Sequence, residues 1–286
     1  MKYGVCNWIF GAEDLASTAA FLAEAGFDGV ELEGDLRRYQ ADEVNNILGD
    51  YGLAVLSLTP QDVDLAHPAA TVRREALDYY LRLLDFAAAV GAPVVSCHGA
   101  VGRVRALADH EEEYQHFITG VRHIAARAGE LKLRLAMEVL NRYESHLLNT
   151  ATQALEFVTQ LGAPNVGILL DAYHMNIEEA DPAGAISDAG GRLFLFHAAD
   201  SNRQAVGRGH TDFLALTRAL RRVGYTDDVV LECTAAGPDP FTPVKGQDWL
   251  AEVRGYARES LRLLKAYGEL TQSPAKSQSG SLGKSE

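Results

Sequence analysis

Along the chain, short runs of aliphatic and β-branched residues alternate with longer stretches whose apolar positions recur every three or four residues. The short runs read as strands buried on both faces: Tyr3–Cys6, Gly29–Glu33, Ala54–Leu58, Val94–His98, Leu133–Glu138, Val166–Asp171, Leu193–His197 and Val229–Cys233. The longer stretches predict helices over Glu13–Ala25, Thr71–Val90, Tyr114–Ala128, Thr152–Leu161 and Phe213–Val223. Gly26, Gly52, Gly91, Gly162 and Gly224 stand where a left-handed residue would stop a helix. Alternation of strand and helix implies βα units and a parallel sheet, and eight strands are enough to close it. The predicted fold is therefore α/β, a single (β/α)8 TIM barrel spanning residues 1–268. An open doubly wound sheet would need a glycine-rich phosphate turn after an early strand, and none occurs. Residues 269–286 are polar and offer nothing to bury, which predicts a disordered tail.

Composition narrows the class. The 286 residues are 47% apolar and 23% charged, enough for one large core without disulfide support. Cys6, Cys97 and Cys233 form neither an even set nor a zinc-type spacing. A net charge of −13 argues against a nucleic-acid surface, since phosphate binding draws on clustered Lys and Arg. No apolar stretch approaches the roughly 20 residues of a membrane span. The N-terminus MKYGVCNWIF lacks the basic region and cleavage site of a signal peptide. The expectation is a cytoplasmic protein with a small neutral or metal-bound substrate and neither nucleic-acid nor membrane partners.

In such a barrel the chemistry sits at the C-terminal ends of the strands. Four runs end in metal-ligand types: LRLAMEV at Glu138, VGILLDAYH at Asp171, LFLFHAAD at His197 and VVLECT at Glu232. Singly, each has a plain reading as a loop-facing charge, a helix N-cap or a core histidine. Together, on the last four strands, they form a set of buried charges that would be costly unless paired or metal-bound. Three carboxylates and one imidazole suit a hard or borderline divalent ion, Mn2+, Mg2+ or Co2+, better than a thiolate-type zinc site. Glu144, His174 and Arg203 would face the same mouth, and a loop or helix after Val166–Asp171 would set Asp171 and His174 one turn apart, although on spacing alone His174 reads equally as a supporting or surface histidine and Arg203 as a solvated loop charge. Trp8 and Phe10 are open between pocket wall and core, His98 between a structural role and a substrate contact, and Glu33 is a candidate hydrogen-bond partner for a His or Arg; small buried hydrophobes are the common use of the cysteines.

Four segments, EVLNRYESHLLNT, LDAYHMNIEE, FHAADSNRQAVGRGHTDF and VVLECT, together resemble the ketose 3-epimerases of the D-tagatose, D-allulose and L-ribulose 3-epimerase type, within the xylose-isomerase-like barrel superfamily. The likeness is specific between Glu138 and Glu232 and general before that. It implies one Mn2+ or similar ion held by Glu138, Asp171, His197 and Glu232, with Glu144, His174 and Arg203 gripping the C1–C3 oxygens of the sugar. The implied reaction interconverts C3 epimers of free ketoses through a cis-enediolate, with Glu138 and Glu232 alternating as base and acid on opposite faces of C3. It also implies a homo-dimer or homo-tetramer.

The chain departs from that pattern where Cys233 and Thr234 replace the aromatic that commonly follows the last glutamate, leaving recognition of C4 to C6 open. Rival readings are an aldose–ketose isomerase, an inosose isomerase or dehydratase, and an epimerase of a phosphorylated or modified sugar. An apurinic endonuclease of the same barrel would need an Asp-x-His pair after the seventh strand, and Asn202 occupies the histidine's place. A non-catalytic sugar binder would have no need of carboxylates on both faces of one carbon.

Overall fold

A computed structural model of the chain describes residues 1–237, 246 and 248–271. Eight parallel strands close into a barrel in sequence order: β1 (Tyr3–Cys6), β2 (Gly29–Glu33), β3 (Ala54–Thr59), β4 (Val94–Cys97), β5 (Arg134–Val139), β6 (Val166–Asp171), β7 (Leu193–Ala198) and β8 (Val229–Leu231), with β8 pairing back to β1. The helices are α1 (Leu15–Ala25), α2 (Ala41–Asp50), α3 (Ala70–Val90), α4 (His110–Glu130), α5 (Ala151–Leu161), α6 (Ala172–Glu178), α7 (Pro182–Ala189), α8 (Phe213–Arg222) and α9 (Trp249–Leu270). The eight strands and five helices expected from the pattern all occur, their ends displaced by a few residues. The last helix continues to Leu270, past the point where the sequence pattern starts the tail, and residues 272–286 lie outside the described residues.

Local chemistry accounts for the element boundaries. Asp14 caps α1 by accepting from the Ser17 N–H. Thr150 and Gln153 form a reciprocal capping box at the start of α5, which ends on Gly162 at φ 71°, a left-handed conformation that an L side chain resists. Strands β4, β6, β7 and β8 are buried along their whole length, as a sheet covered by helices requires. Phe117, Phe157, Leu83 and Leu84, on the helices, are fully buried, and each such side chain contributes about 1.5–3 kcal/mol relative to exposure. No helix among the described residues is long and apolar enough to cross a membrane.

Two register features set up the site. Asp171 and His197 are direct partners across β6 and β7. On the other side of the barrel, Glu31 in β2 is the register partner of Cys6 in β1 and of Ser57 in β3, so their side chains share one layer.

Candidate active site

Glu138 stands next to last in β5, Asp171 last in β6, His197 next to last in β7, and Glu232 one residue beyond β8. All four are buried. Ligand atoms of Glu138, His197 and Glu232 lie within 4.8 Å of one another. Asp171, paired in register with His197, completes the group at the strand ends. Its Oδ1 accepts from the Tyr173 N–H at 2.7 Å and so caps α6, while Oδ2 is buried without a hydrogen-bond partner. His197 Nδ1 is likewise buried without a hydrogen bond, with Glu232 Oε2 3.5 Å away. Orphaned lone pairs of this kind, on hard oxygen and imidazole nitrogen, among three carboxylates that repel one another, fit a divalent cation.

The groups expected beside these donors gather there. Helix α6 sets His174 one turn after Asp171, with Nε2 3.7 Å from Asp171 Oδ2. Asn141 Nδ2 lies 2.7 Å from His174 Nδ1 and also donates to Glu144 Oε1 at 2.9 Å. The Tyr143 N–H donates to Asn141 Oδ1 at 2.9 Å, which fixes the amide's orientation and makes its NH2 the donor to His174. The His174 proton therefore sits on Nε2, on the side of the metal group. Arg203 donates to Glu232 Oε2 at 2.9 Å and lies 3.6 Å from Glu144 Oε1, its guanidinium stacked over the Tyr173 ring at 4.7 Å. Its backbone is left-handed, φ 58°, and is held by a turn in which its N–H donates to Asp200 O at 2.7 Å and its carbonyl accepts from Thr234 N–H at 2.7 Å.

The electrostatics separate the two glutamates. Burial, and then the charge of Glu232, pushes the Glu138 carboxyl well above its ordinary value. Burial works against the Glu232 carboxylate as well, but Arg203 and His197 outweigh it and hold its pKa below the usual range. Burial and then Glu232 push Asp171 up to about 8. Burial and the neighbouring Arg203 drop His174 to about 3, so it stays neutral. For His197 burial opposes the charged form, and the carboxylates of Glu31 and Glu232 more than restore it, raising its pKa.

A cavity of about 370 Å3 opens onto this group, with Trp8, Glu33, Asp62 and His98 on the wall formed by the first four strands. That volume suits a small molecule. His98 is buried, with Nδ1 unpartnered. Glu33 pairs with Arg38 at 2.5 Å, whereas the carboxylate that meets a site histidine is Glu31, whose Oε2 is 3.1 Å from His197 Nε2. Phe10 packs in the core against Phe21, at 5.6 Å between ring centroids.

Three residues of this arrangement escape a reading of the sequence. Glu31 lies inside a strand run, VELE, where the strand-end Glu33 draws attention first. Asn141 reads as an ordinary loop residue. Asp200, fully buried, accepts from the N–H groups of Ser201, Gly207 and Thr211 at 2.7, 2.8 and 3.1 Å and so shapes the loop that carries Arg203. Gly209 closes on it: a Cβ there would lie 2.2 Å from Asp200 Oδ1.

A family model described as the xylose isomerase-like TIM barrel matches residues 19–266. The chain belongs to this family. Within it, the chain is 34% identical over 236 residues to a ketose 3-epimerase of Arthrobacter globiformis, covering 78% of each. It is 30% identical over 251 residues to the 3-dehydro-D-guloside 4-epimerase of Escherichia coli, covering 84% of this chain and 95% of that one. Among solved members of the barrel family, a D-psicose 3-epimerase crystallised with D-fructose superposes with a TM-score of 0.84 at 26% identity, over 94% of this chain and 99% of the other. The 3-keto-D-glucoside 4-epimerase of E. coli gives 0.82 at 28% identity, over 93% and 99%. Epimerisation is the activity these relatives share.

Proposed function

We propose that this protein is a divalent-metal-dependent ketose 3-epimerase acting on free sugars. The observation that carries the reading is the pair Glu138 and Glu232: two buried carboxylates from different strands, within 4.8 Å, with pKa values driven in opposite directions. A proton beside a ketone must leave one face of C3 and return to the other, which calls for one carboxylate ready to accept and another ready to give. Glu232, kept ionised by Arg203, takes the first role and Glu138 the second; in the reverse direction the roles exchange. Neutral His174, donating through Nε2, and Arg203 supply hydrogen bonds to the sugar oxygen that gains charge. Glu144, oriented by Asn141, accepts from a hydroxyl near the carbonyl.

Glu138, Asp171, His197 and Glu232 would hold the ion, and its chemistry is Lewis-acid polarisation of the carbonyl and neighbouring hydroxyl oxygens. Mn2+ is the ion we assign from the donor set, with Co2+ and Mg2+ as alternatives. The cavity supports a free sugar over a phosphorylated one: Glu33, Asp62, Glu138, Glu144 and Glu232 line it against one guanidinium, that of Arg203, among the described residues. A phosphate dianion would enter against that field.

A second reading has a specific support, the 95% coverage of the 4-epimerase relative at 30% identity. The same carboxylate pair would then act on the carbon next to the ketone of a keto-glycoside. Product analysis separates the two. Mn2+-loaded protein incubated with free ketoses should convert one of them to its C3 epimer, with the conversion lost in chelator. Turnover of 3-keto-glycosides alone would transfer the assignment to C4, and turnover of neither would overturn both.

A further inference from the structure

His197 belongs to two sets of donors at once. Its Nδ1 side meets Glu138 and Glu232, its Nε2 side meets Glu31 and Cys6, and the ligand atoms of either trio lie within 4.8 Å of one another. The sets favour different ions. The first, with Asp171, is rich in carboxylate and suits a hard cation, whereas the second contains a sulfur and suits a thiophilic one.

We propose that Glu31 is the positioning residue that commits His197 to the first set: by holding Nε2–H it leaves Nδ1 as the only lone pair for a metal, and it makes the centre a hard-ion site. This rests on the reading that the protein holds a divalent ion. Glu31 is fully buried and pinned from both sides. Its Oε1 accepts from Cys6 Sγ at 2.9 Å, and its Oε2 from Ser57 Oγ at 2.6 Å and from His197 Nε2 at 3.1 Å. Cys6, Glu31 and Ser57 are register partners on three adjacent strands, so the carboxylate cannot swing away without disturbing the barrel wall. An imidazole that spends Nε2–H on such a fixed acceptor has its tautomer and its ring plane decided together. The same contact occupies the Cys6 S–H as a donor, which keeps its sulfur out of competition for the ion.

The test measures Mn2+ affinity by the electron paramagnetic resonance of free ion, for the full chain and its Glu31→Gln variant, with far-ultraviolet circular dichroism as the folding control. The variant should bind Mn2+ about 10–100-fold more weakly. Co2+-loaded wild-type protein should show no thiolate-to-metal charge-transfer band. In Mg2+-loaded protein with 15N-labelled histidine, the His197 proton should reside on Nε2. Equal Mn2+ affinity in the variant, a thiolate band that disappears in Cys6→Ser, or a proton on Nδ1 would each overturn the inference. Should Glu31→Gln fail to fold, Ser57→Ala, which removes one anchor of the carboxylate, should weaken Mn2+ binding in the same direction, and an unchanged affinity would overturn it. Wild-type protein that binds no Mn2+ would bring down both this inference and the reading it rests on. Tight wild-type binding with an unaffected Gln variant brings down this inference alone.

Discussion

Arg203 donates to Glu232 at 2.9 Å, and this contact makes two otherwise similar buried carboxylates unequal. For Glu138 the pull of His197 is outweighed: burial, and then Glu232 itself, drive it toward the protonated form. Two like carboxylates at this distance would share one proton between them, and the inequality decides in advance which of the pair holds it.

Replacing Glu138 or Glu232 by Gln should each lower kcat by about 10²–10⁴-fold, the usual worth of a positioned acid or base. Steady-state kinetics at saturating metal tests this. Ordinary turnover by either variant would remove that residue from the chemistry.

Asn141 holds His174 in the tautomer that donates through Nε2. Asn141→Asp would place an acceptor opposite Nδ1, draw the proton there and strip the site of a donor. A fall in kcat/KM of roughly tenfold is expected, about the worth of one hydrogen bond. Asn141→Asp with unchanged kinetics would mean that the His174 tautomer is immaterial.

The loop carrying Arg203 hangs on Asp200. Asp200→Ala leaves the N–H groups of Ser201, Gly207 and Thr211 without their acceptor, at a cost of about 1–3 kcal/mol. Gly209→Ala should act alike, since its Cβ would stand 2.3 Å from Ser201 Oγ as well as against Asp200. Both should lower Tm and raise KM, as the Arg203 guanidinium loses its fixed place. Calorimetry and kinetics together check this, and a raised Tm with unchanged KM would contradict it.

These two predictions turn on residues that the sequence pattern does not mark, and the reason is physical. Glu138, Asp171, His197 and Glu232 are legible because each stands at or beside the end of a largely apolar strand, where a charge has no packing purpose. Glu144, His174 and Arg203 are marked by the family resemblance, because spacing alone leaves His174 and Arg203 open between site and surface roles. Glu31 is hidden because strand residues two apart share a face, so VELE offers two equivalent acids, and only the closure of the barrel shows which one meets His197. Asn141 and Asp200 act through backbone amides and ring nitrogens brought close by loop geometry, for which loop composition carries no signature. The sequence leaves the segment after Asp171 open between a loop and a helix, and the structure makes it α6. Its cap, the Asp171 carboxylate itself, serves two purposes that the sequence does not separate.

The metal-free protein should lose stability as pH rises from about 6.5 to 8. Asp171, ordinarily near 3.8, holds its proton up to about 8 in the folded chain, so between those values the folded state binds the extra proton and stability falls with pH. His174, lowered from 6.5 to about 3, acts in the opposite sense, but only below 6.5. Above that value Asp171 is unopposed by His174, and Glu138 and His197, both raised, act in the same direction. A bound divalent ion would take the place of these protons, so saturating Mn2+ should abolish the decline and add about 2.7 kcal/mol at a hundredfold excess over its Kd. Calorimetric Tm values with chelator and with Mn2+ decide it. A metal-free Tm that rises over this window would contradict the assignment.

The most direct test of the central claim is hydrogen exchange at the reacting carbon. Metal-stripped and Mn2+-restored protein are incubated with free ketoses in D2O, and the sugars are read by NMR. The account predicts deuterium at C3 of both epimers, dependent on restored metal and lost in the Glu138→Gln and Glu232→Gln variants. Conversion to the C3 epimer without deuterium at C3, or exchange that proceeds equally in chelator, would contradict it.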